Sequence, residues 1–145
     1  VTRFELQKTG MPCAIRSHIP SDPCYAEADP DLLIRAIGNV IKNAFEANGD
    51  KCVVQVTATR RADAWTAEIA DDGEGIAPEN IEKIFNPFFT TRAKGAGLGL
   101  AYASQAVKAH GGVISAENRM EGGALFRLEI PVSPGDILPN MSPLP

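Results

Sequence analysis

A β-rich run ends at Asp71 and passes directly into an acidic glycine turn, Asp71-Asp72-Gly73-Glu74-Gly75-Ile76; no other feature so constrains what this chain can fold into. A carboxylate at a strand end is held by the sheet behind it. The two glycines can take positive φ and leave bare backbone against which a flat ligand such as a nucleobase would fit. Further along, Gly95-Ala96-Gly97-Leu98-Gly99-Leu100 opens a helix-like segment, so unblocked N–H groups and the positive end of a helix dipole would face an anion. The fold must therefore bring a strand end and a helix start to one place. Between them lies Phe85-Asn86-Pro87-Phe88-Phe89-Thr90-Thr91-Arg92-Ala93-Lys94, aromatic at its start, cationic at its end and without a helical or strand period, which reads as a mobile lid.

Elsewhere the pattern predicts scaffold. Asp29-Pro30-Asp31 is a helix start, with a capping Asp, Pro at the first helical position and an acid in the first turn. The helix should run to about Ala47 and end at Asn48-Gly49, burying a stripe of Leu33, Ile37, Val40, Ile41 and Ala44. Asn39 and Asn43, one helical repeat apart, share a face beside that stripe. An amide carbonyl is a hard oxygen suited to Mg²⁺, and a neighbouring amide can hold the ion's waters; the bland alternative is a pair of helix-surface or interhelical amides. Strands are expected over Cys13–Ile19 and, briefly, Cys24–Ala28. A hairpin should join 52–59 to 64–70 through Arg60-Arg61-Ala62-Asp63, and a closing hairpin should join 113–118 to 123–131. Short and long helices are expected over Pro78–Phe85 and Leu98–His110.

A length of 145 residues with 44% hydrophobic content suits one compact domain. The net charge of −4 and the isolated basic pair Arg60-Arg61 argue against a nucleic-acid surface. No run approaches the roughly 18 apolar residues of a membrane span, and the amino terminus lacks a signal peptide's apolar core, so the expectation is a cytoplasmic domain without direct membrane contact. Cys13, Cys24 and Cys52 fit neither a disulfide framework nor a zinc site. Residues 1–12 read as a linker from an upstream domain, 13–132 as the domain itself, and 133–145, with four prolines, as an extended tail.

The P-loop pattern is absent, the 95–99 cluster lacks the third glycine of a dinucleotide fingerprint, and His18 and His110 belong to no catalytic or metal-ligating cluster. What remains is an ordered set: Asn-x-x-x-Asn on a helix, Asp-x-Gly-x-Gly after a strand, Phe-x-Pro-Phe-Phe, then Gly-x-Gly-x-Gly opening a helix. Each is weak alone. In this order they resemble the N, G1, F and G2 boxes of the ATP-binding catalytic domain of bacterial sensor histidine kinases, members of a superfamily shared with DNA gyrase. The resemblance covers about Ala14–Val132, and the short lid looks most like that of the nitrogen-regulation type.

That resemblance implies a two-layer α/β sandwich, the Bergerat ATP-binding fold, with a mixed, mostly antiparallel sheet of about five strands and three helices on one face. It implies ATP and Mg²⁺ as cofactors. Asp71 would accept the adenine amine and Gly75 would let the ring approach; Asn43 would coordinate Mg²⁺, assisted by Asn39. Gly95, Gly97 and Gly99 would cradle the phosphates while Leu98 and Leu100 anchor the lid's hinge. Gly73, Ile76, Phe85, Thr90 and Thr91 complete the implied nucleotide-binding set. Arg92 and Lys94 are the cations able to meet the γ-phosphate, the alternative for each being a solvated loop charge. Phe85 is expected to be packed, with Phe88 and Phe89 serving lid closure or a partner face. The phosphoaccepting histidine of such kinases lies on a separate helical hairpin that nothing here resembles. The implied partners are that dimerisation domain, in a homodimer, and a downstream response regulator. A stand-alone ATPase or a serine kinase of the anti-sigma-factor type is the rival reading.

Overall fold

The computed structural model describes residues 14–21, 26–49, 52–61 and 63–132. Five strands form one sheet: β1 (Ala14–His18), β2 (Val53–Arg60), β3 (Ala64–Asp71), β4 (Val113–Asn118) and β5 (Ala124–Pro131), in the order β1-β2-β3-β5-β4. Only β1 and β2 run parallel; β2–β3, β3–β5 and β5–β4 are antiparallel. The hairpin register sets Val56 opposite Ile69 and Val54 opposite Asp71, so the last residue of β3 is still held within the sheet.

Two helices, α1 (Pro30–Asn48) and α2 (Gly99–Ala109), pack against each other and over one face of the sheet. The start of α1 follows from its cap, because Asp29 accepts from the N–H groups of Asp31 (3.0 Å) and Leu32 (3.2 Å). It stops at Gly49, whose φ of +64° suits a residue without a Cβ. Of the expected stripe, Val40 and Ala44 are buried together with Ala36, while Leu33, Ile37 and Ile41 pack against the core's margin. From α2, Ala103, Ala106 and Val107 meet Val54, Ile69, Phe126, Leu128 and Ile130 of the strands. On the opposite sheet face the Arg127 guanidinium donates to Glu68 (2.9 Å), which raises the pKa of Arg127.

His110 ties the two helices. Its Nε2 accepts the Asp29 N–H at 2.9 Å, so the proton sits on Nδ1, which donates to the Ala106 carbonyl at 2.7 Å. The role is structural, a bond between the end of α2 and the start of α1.

Two expected elements differ. The third helix, over Pro78–Phe85, is a 3₁₀ turn at Pro78–Asn80 continued by turns, so the layer holds two helices among the described residues. A segment this short cannot repay helix nucleation, and Pro87 forbids its extension. Of Ile81, Ile84 and Phe85, which a helix here would turn inward, Ile84 and Phe85 pack against the core. The short strand over Cys24–Ala28 is not formed by its described part: residues 26–28 lie outside the sheet, and the backbone following them bonds to His110 instead of a strand edge. The linker at 1–12, the tail at 133–145, and Cys13 and Cys24 lie outside the described residues; Cys52 is buried.

Candidate functional site

An open cavity of about 860 Å³ lies between α1, the turn after β3, the lid and the start of α2. From α1 it receives Asn39 and Asn43, which share one helix face as their spacing requires. The turn contributes Gly75 and Ile76, the lid Phe89, Thr90, Thr91, Arg92 and Lys94, and the glycine cluster Gly95, Gly97, Leu98, Gly99 and Leu100. Three residues of the implied set stand off the lining. Phe85 belongs to the core, its ring edge-to-face on Phe126 with centroids 6.4 Å apart. Gly73 backs onto α1, where a Cβ would run into the Asn48 side chain. Asp71 is the buried end of β3, only 4% exposed, four residues before the lining begins at Gly75.

The Asp71 carboxylate is fixed by backbone donors on both sides. Its Oδ1 accepts the N–H of Gly73 at 3.0 Å and that of Ala124 at 3.2 Å, while Oδ2 accepts nothing among the described residues. One carboxylate oxygen thus orients the group and the other remains available to a ligand's donor.

The glycine cluster is shaped by a close approach. Gly97 has φ +68°, its carbonyl accepts the Phe88 N–H at 2.9 Å, and a Cβ on it would lie 2.5 Å from the Phe88 carbonyl carbon. Phe88 is itself at φ +67°, the one non-glycine at positive φ among the described residues, and its side chain is 75% exposed. Backbone held this way in an aromatic residue stores strain. Phe85 is therefore core, as expected, while Phe88 projects outward and Phe89 faces the cavity.

The most informative lid contact is that of Arg92. Its Nη2 donates to Asn43 Oδ1 at 2.7 Å and its Nη1 to the Glu46 carboxylate, which Lys42 also approaches at 3.6 Å. The Arg92 N–H in turn donates to Thr90 Oγ1 at 3.1 Å. Lys94 lines the cavity without an ion pair among the described residues. Sequence reasoning missed Glu46: the helical period puts it on the Asn43 face, three residues on, but does not name Arg92 as its partner.

Two further residues were missed and no local signal announces them. Asn118, at the end of β4, accepts the Ile76 N–H at its Oδ1 and donates to the Ile76 carbonyl through Nδ2, both at 2.7 Å. Arg119 donates to the Asp71 carbonyl at 2.7 Å and to Glu121 at 2.6 Å, and its guanidinium holds the Glu121 carboxyl below the usual range.

A layer of two helices on this sheet, with a strand-end carboxylate, paired helix amides and a glycine-lined helix start beside one cavity, is the architecture of a nucleotide-binding domain of the gyrase and histidine-kinase type. The family model described as "Histidine kinase-, DNA gyrase B-, and HSP90-like ATPase" matches residues 28–134, and the chain belongs to that family. It is 41% identical over 107 residues to the sensor histidine kinase ZraS of Escherichia coli O157:H7, covering 74% of this chain and 23% of that protein. With sporulation kinase A of Bacillus subtilis it shares 33% identity over 117 residues, covering 81% and 19%. The chain thus spans about a quarter of the ZraS relative or less of such kinases. The catalytic domain of histidine kinase ThkA superposes with a TM-score of 0.75 at 33% identity, covering 84% of this chain and 82% of that one. ThkA is also known in complex with the response regulator TrrA, where the TM-score is 0.69 at 31% identity over 86% of this chain and 35% of that one. The chain is a histidine-kinase-type ATPase domain, and no helix among the described residues is long and apolar enough to cross a membrane.

Proposed function

We propose that this domain binds Mg-ATP and, within a longer cytoplasmic protein, donates the γ-phosphoryl to a histidine on a separate dimerisation domain, from which it passes to a response regulator. In that protein residues 1–12 serve as the linker and 133–145 as a tail. The observation that carries the reading is the meeting of Asn39 and Asn43, the Gly75–Ile76 turn and the Gly95–Gly99 cluster around one cavity, with the buried Asp71 at the root of that turn.

Each residue then has a task. Asp71 Oδ2 accepts the exocyclic amine of adenine. The N–H groups around Gly97 and the start of α2 hold the phosphates. The donor set fits Mg²⁺: Asn43 Oδ1 is a hard oxygen that already faces a cation, the Arg92 guanidinium, with the Glu46 carboxylate beside it. Asn39, on the same face, holds the ion's waters. When bound, Mg²⁺ neutralises charge across the phosphates. Arg92 and Lys94 are the lid cations that would meet the γ-phosphate, and the lid would exclude water while an imidazole is presented in line.

Calorimetric titration of the chain with ATP, with and without Mg²⁺, tests the binding step. Supplying a cognate helical hairpin domain in trans tests the transfer. Saturable Mg-dependent binding and a labelled, acid-labile phosphohistidine on the hairpin are expected. Absence of ATP binding by the wild-type chain overturns the reading, and serine phosphorylation by the domain alone would favour the anti-sigma-factor-like alternative.

A further inference from the structure

We infer that Asn118, with Arg119 beside it, is a positioning residue for base recognition: the turn between β4 and β5 holds the Asp71–Ile76 segment in the shape that meets the nucleobase. The inference rests on the ATP reading above and adds to it residues that none of the four motifs contains.

The argument begins with what the turn after β3 lacks. Past Asp71 the chain leaves the sheet, so its N–H and C=O groups have no ladder to join, and two glycines make it intrinsically loose. Those groups need partners from elsewhere. The Asn118 carboxamide supplies them at Ile76, accepting the N–H and donating to the C=O of the same residue, both at 2.7 Å. A carboxamide so placed copies a backbone peptide, and the turn is docked beside β4 as if it were one more residue of strand. Arg119 does the same at the other end, donating to the Asp71 carbonyl at 2.7 Å while Glu121 steadies its guanidinium at 2.6 Å. The Ala124 N–H, on the far side of that turn, completes the grip on Asp71 Oδ1.

The glycines report the same docking. Gly75 sits at φ +81°, and a Cβ there would lie 2.6 Å from Asn118 Oδ1. Gly123, at φ +83°, backs onto the Asp71 carbonyl so closely that a Cβ would lie 2.0 Å from it. Gly75 and Gly123 are thus small where the two turns press together, and Asn118 is the side chain that fills the contact. Asn118 does not line the cavity, whereas Gly75 and Ile76 do, so it acts through them. Preorganising a loop before its ligand arrives strengthens binding by removing an ordering cost.

The test compares the wild-type chain with Asn118→Ala and Asn118→Asp. Two quantities are measured: exchange of the Ile76 amide hydrogen by NMR without ligand, and calorimetric affinity for Mg-ATP and for Mg-tripolyphosphate, which has no base. Asn118→Ala should speed Ile76 exchange and weaken ATP about tenfold, as expected when an ordering cost of about one decade of affinity returns. Tripolyphosphate binding should not move, because Asn43 and Gly95–Gly99 are untouched. Asn118→Asp keeps the acceptor for the Ile76 N–H and loses the donor to its carbonyl, so amide protection should persist while ATP affinity falls part-way. It also decides the matter should the alanine variant not fold. Unchanged Ile76 exchange in the alanine variant, or equal weakening of ATP and tripolyphosphate, overturns the inference while leaving the ATP site standing. A wild-type chain that binds no ATP refutes that reading and this inference with it.

Discussion

Replacing Asp71 by Asn should invert the base preference of the site without unfolding it. The reason lies in how the carboxylate is held. Oδ1 accepts two backbone N–H groups, from Gly73 and Ala124, and a carboxamide can keep both only by placing its oxygen there. Its NH₂ must then stand where Oδ2 stood, facing the ligand. A hydrogen bond between a carboxylate and the adenine amine contributes about 1.5–3 kcal/mol, so its loss alone weakens ATP roughly 10- to 150-fold. Two donors then confront each other, which moves the expectation toward the upper end. Inosine triphosphate carries a keto oxygen in place of that amine: it is repelled by the wild-type carboxylate and should be welcomed by the new NH₂. The fold loses only the charge assistance of two backbone bonds, about 1 kcal/mol in total, or roughly 4 °C in melting temperature. Calorimetry with both nucleotides, beside a thermal melt, reads all three quantities. ATP affinity within twofold of wild type, or an unmoved ratio of ATP to inosine triphosphate, would refute base recognition by Asp71. A melting point lowered by much more than this would show that Asp71 serves the fold first.

Other substitutions separate phosphate holding, lid closure and core. Gly97→Ala forces a Cβ onto the Phe88 backbone at a Gly97 φ of +68°; the left-handed conformation alone costs about 1–2 kcal/mol, so the melting temperature should fall by roughly 4–8 °C, and the displaced loop should weaken ATP roughly tenfold by calorimetry. Glu46→Gln releases one partner of Arg92. Since side chains about 36% and 46% exposed form a weak pair, stability should change by less than about 1 kcal/mol in a urea titration, while tryptic cleavage after Arg92 should accelerate. Phe126→Ala removes a side chain that is 1% exposed and touches Phe85 edge-on, and a loss of about 3–5 kcal/mol is expected from chemical denaturation.

What the sequence made legible is what local chemistry decides. The cap at Asp29-Pro30-Asp31 and the apolar stripe placed α1 to within a residue at each end, and β4 falls on the expected bounds at Val113–Asn118. The paired amides and both glycine turns were found because spacing alone puts Asn39 over Asn43 and glycine alone tolerates a sharp turn. Pro78–Phe85 was misread because propensity decides little over so short a segment, and tertiary anchoring of Ile84 and Phe85 settled its form. Asn118 and Arg119 were invisible for another reason: they lie far along the chain from Asp71 and Ile76, and only the β3–β5–β4 order brings them together. Glu46 stood in plain view on the α1 face, but a helical carboxylate signals nothing until its cation is known to be Arg92.

The two halves of the cavity are built on different physical terms, and that difference bears on how such a domain can be both selective and quick to release. On the side of the Asp71–Ile76 turn, Asp71 Oδ1, the Asp71 carbonyl and both backbone groups of Ile76 are bonded to the strands or their closing hairpin, so the turn is held without a ligand. On the lid side the converse holds. The lid's firmest polar link is Arg92 to α1, an exposed pair that solvent screens, and the lid turns through Phe88 in a strained conformation with its ring in water. Asn43 Oδ1 sits at the boundary, and a guanidinium and a metal ion repel when both approach one amide oxygen. Under the proposed function, a cation held at Asn43 would compete with Arg92 for that oxygen and leave the guanidinium available to a phosphate. On that proposal the lid would respond to the triphosphate through one shared oxygen, Asn43 Oδ1, while the turn after β3, bonded to Asn118 and Arg119, would meet the base already in shape.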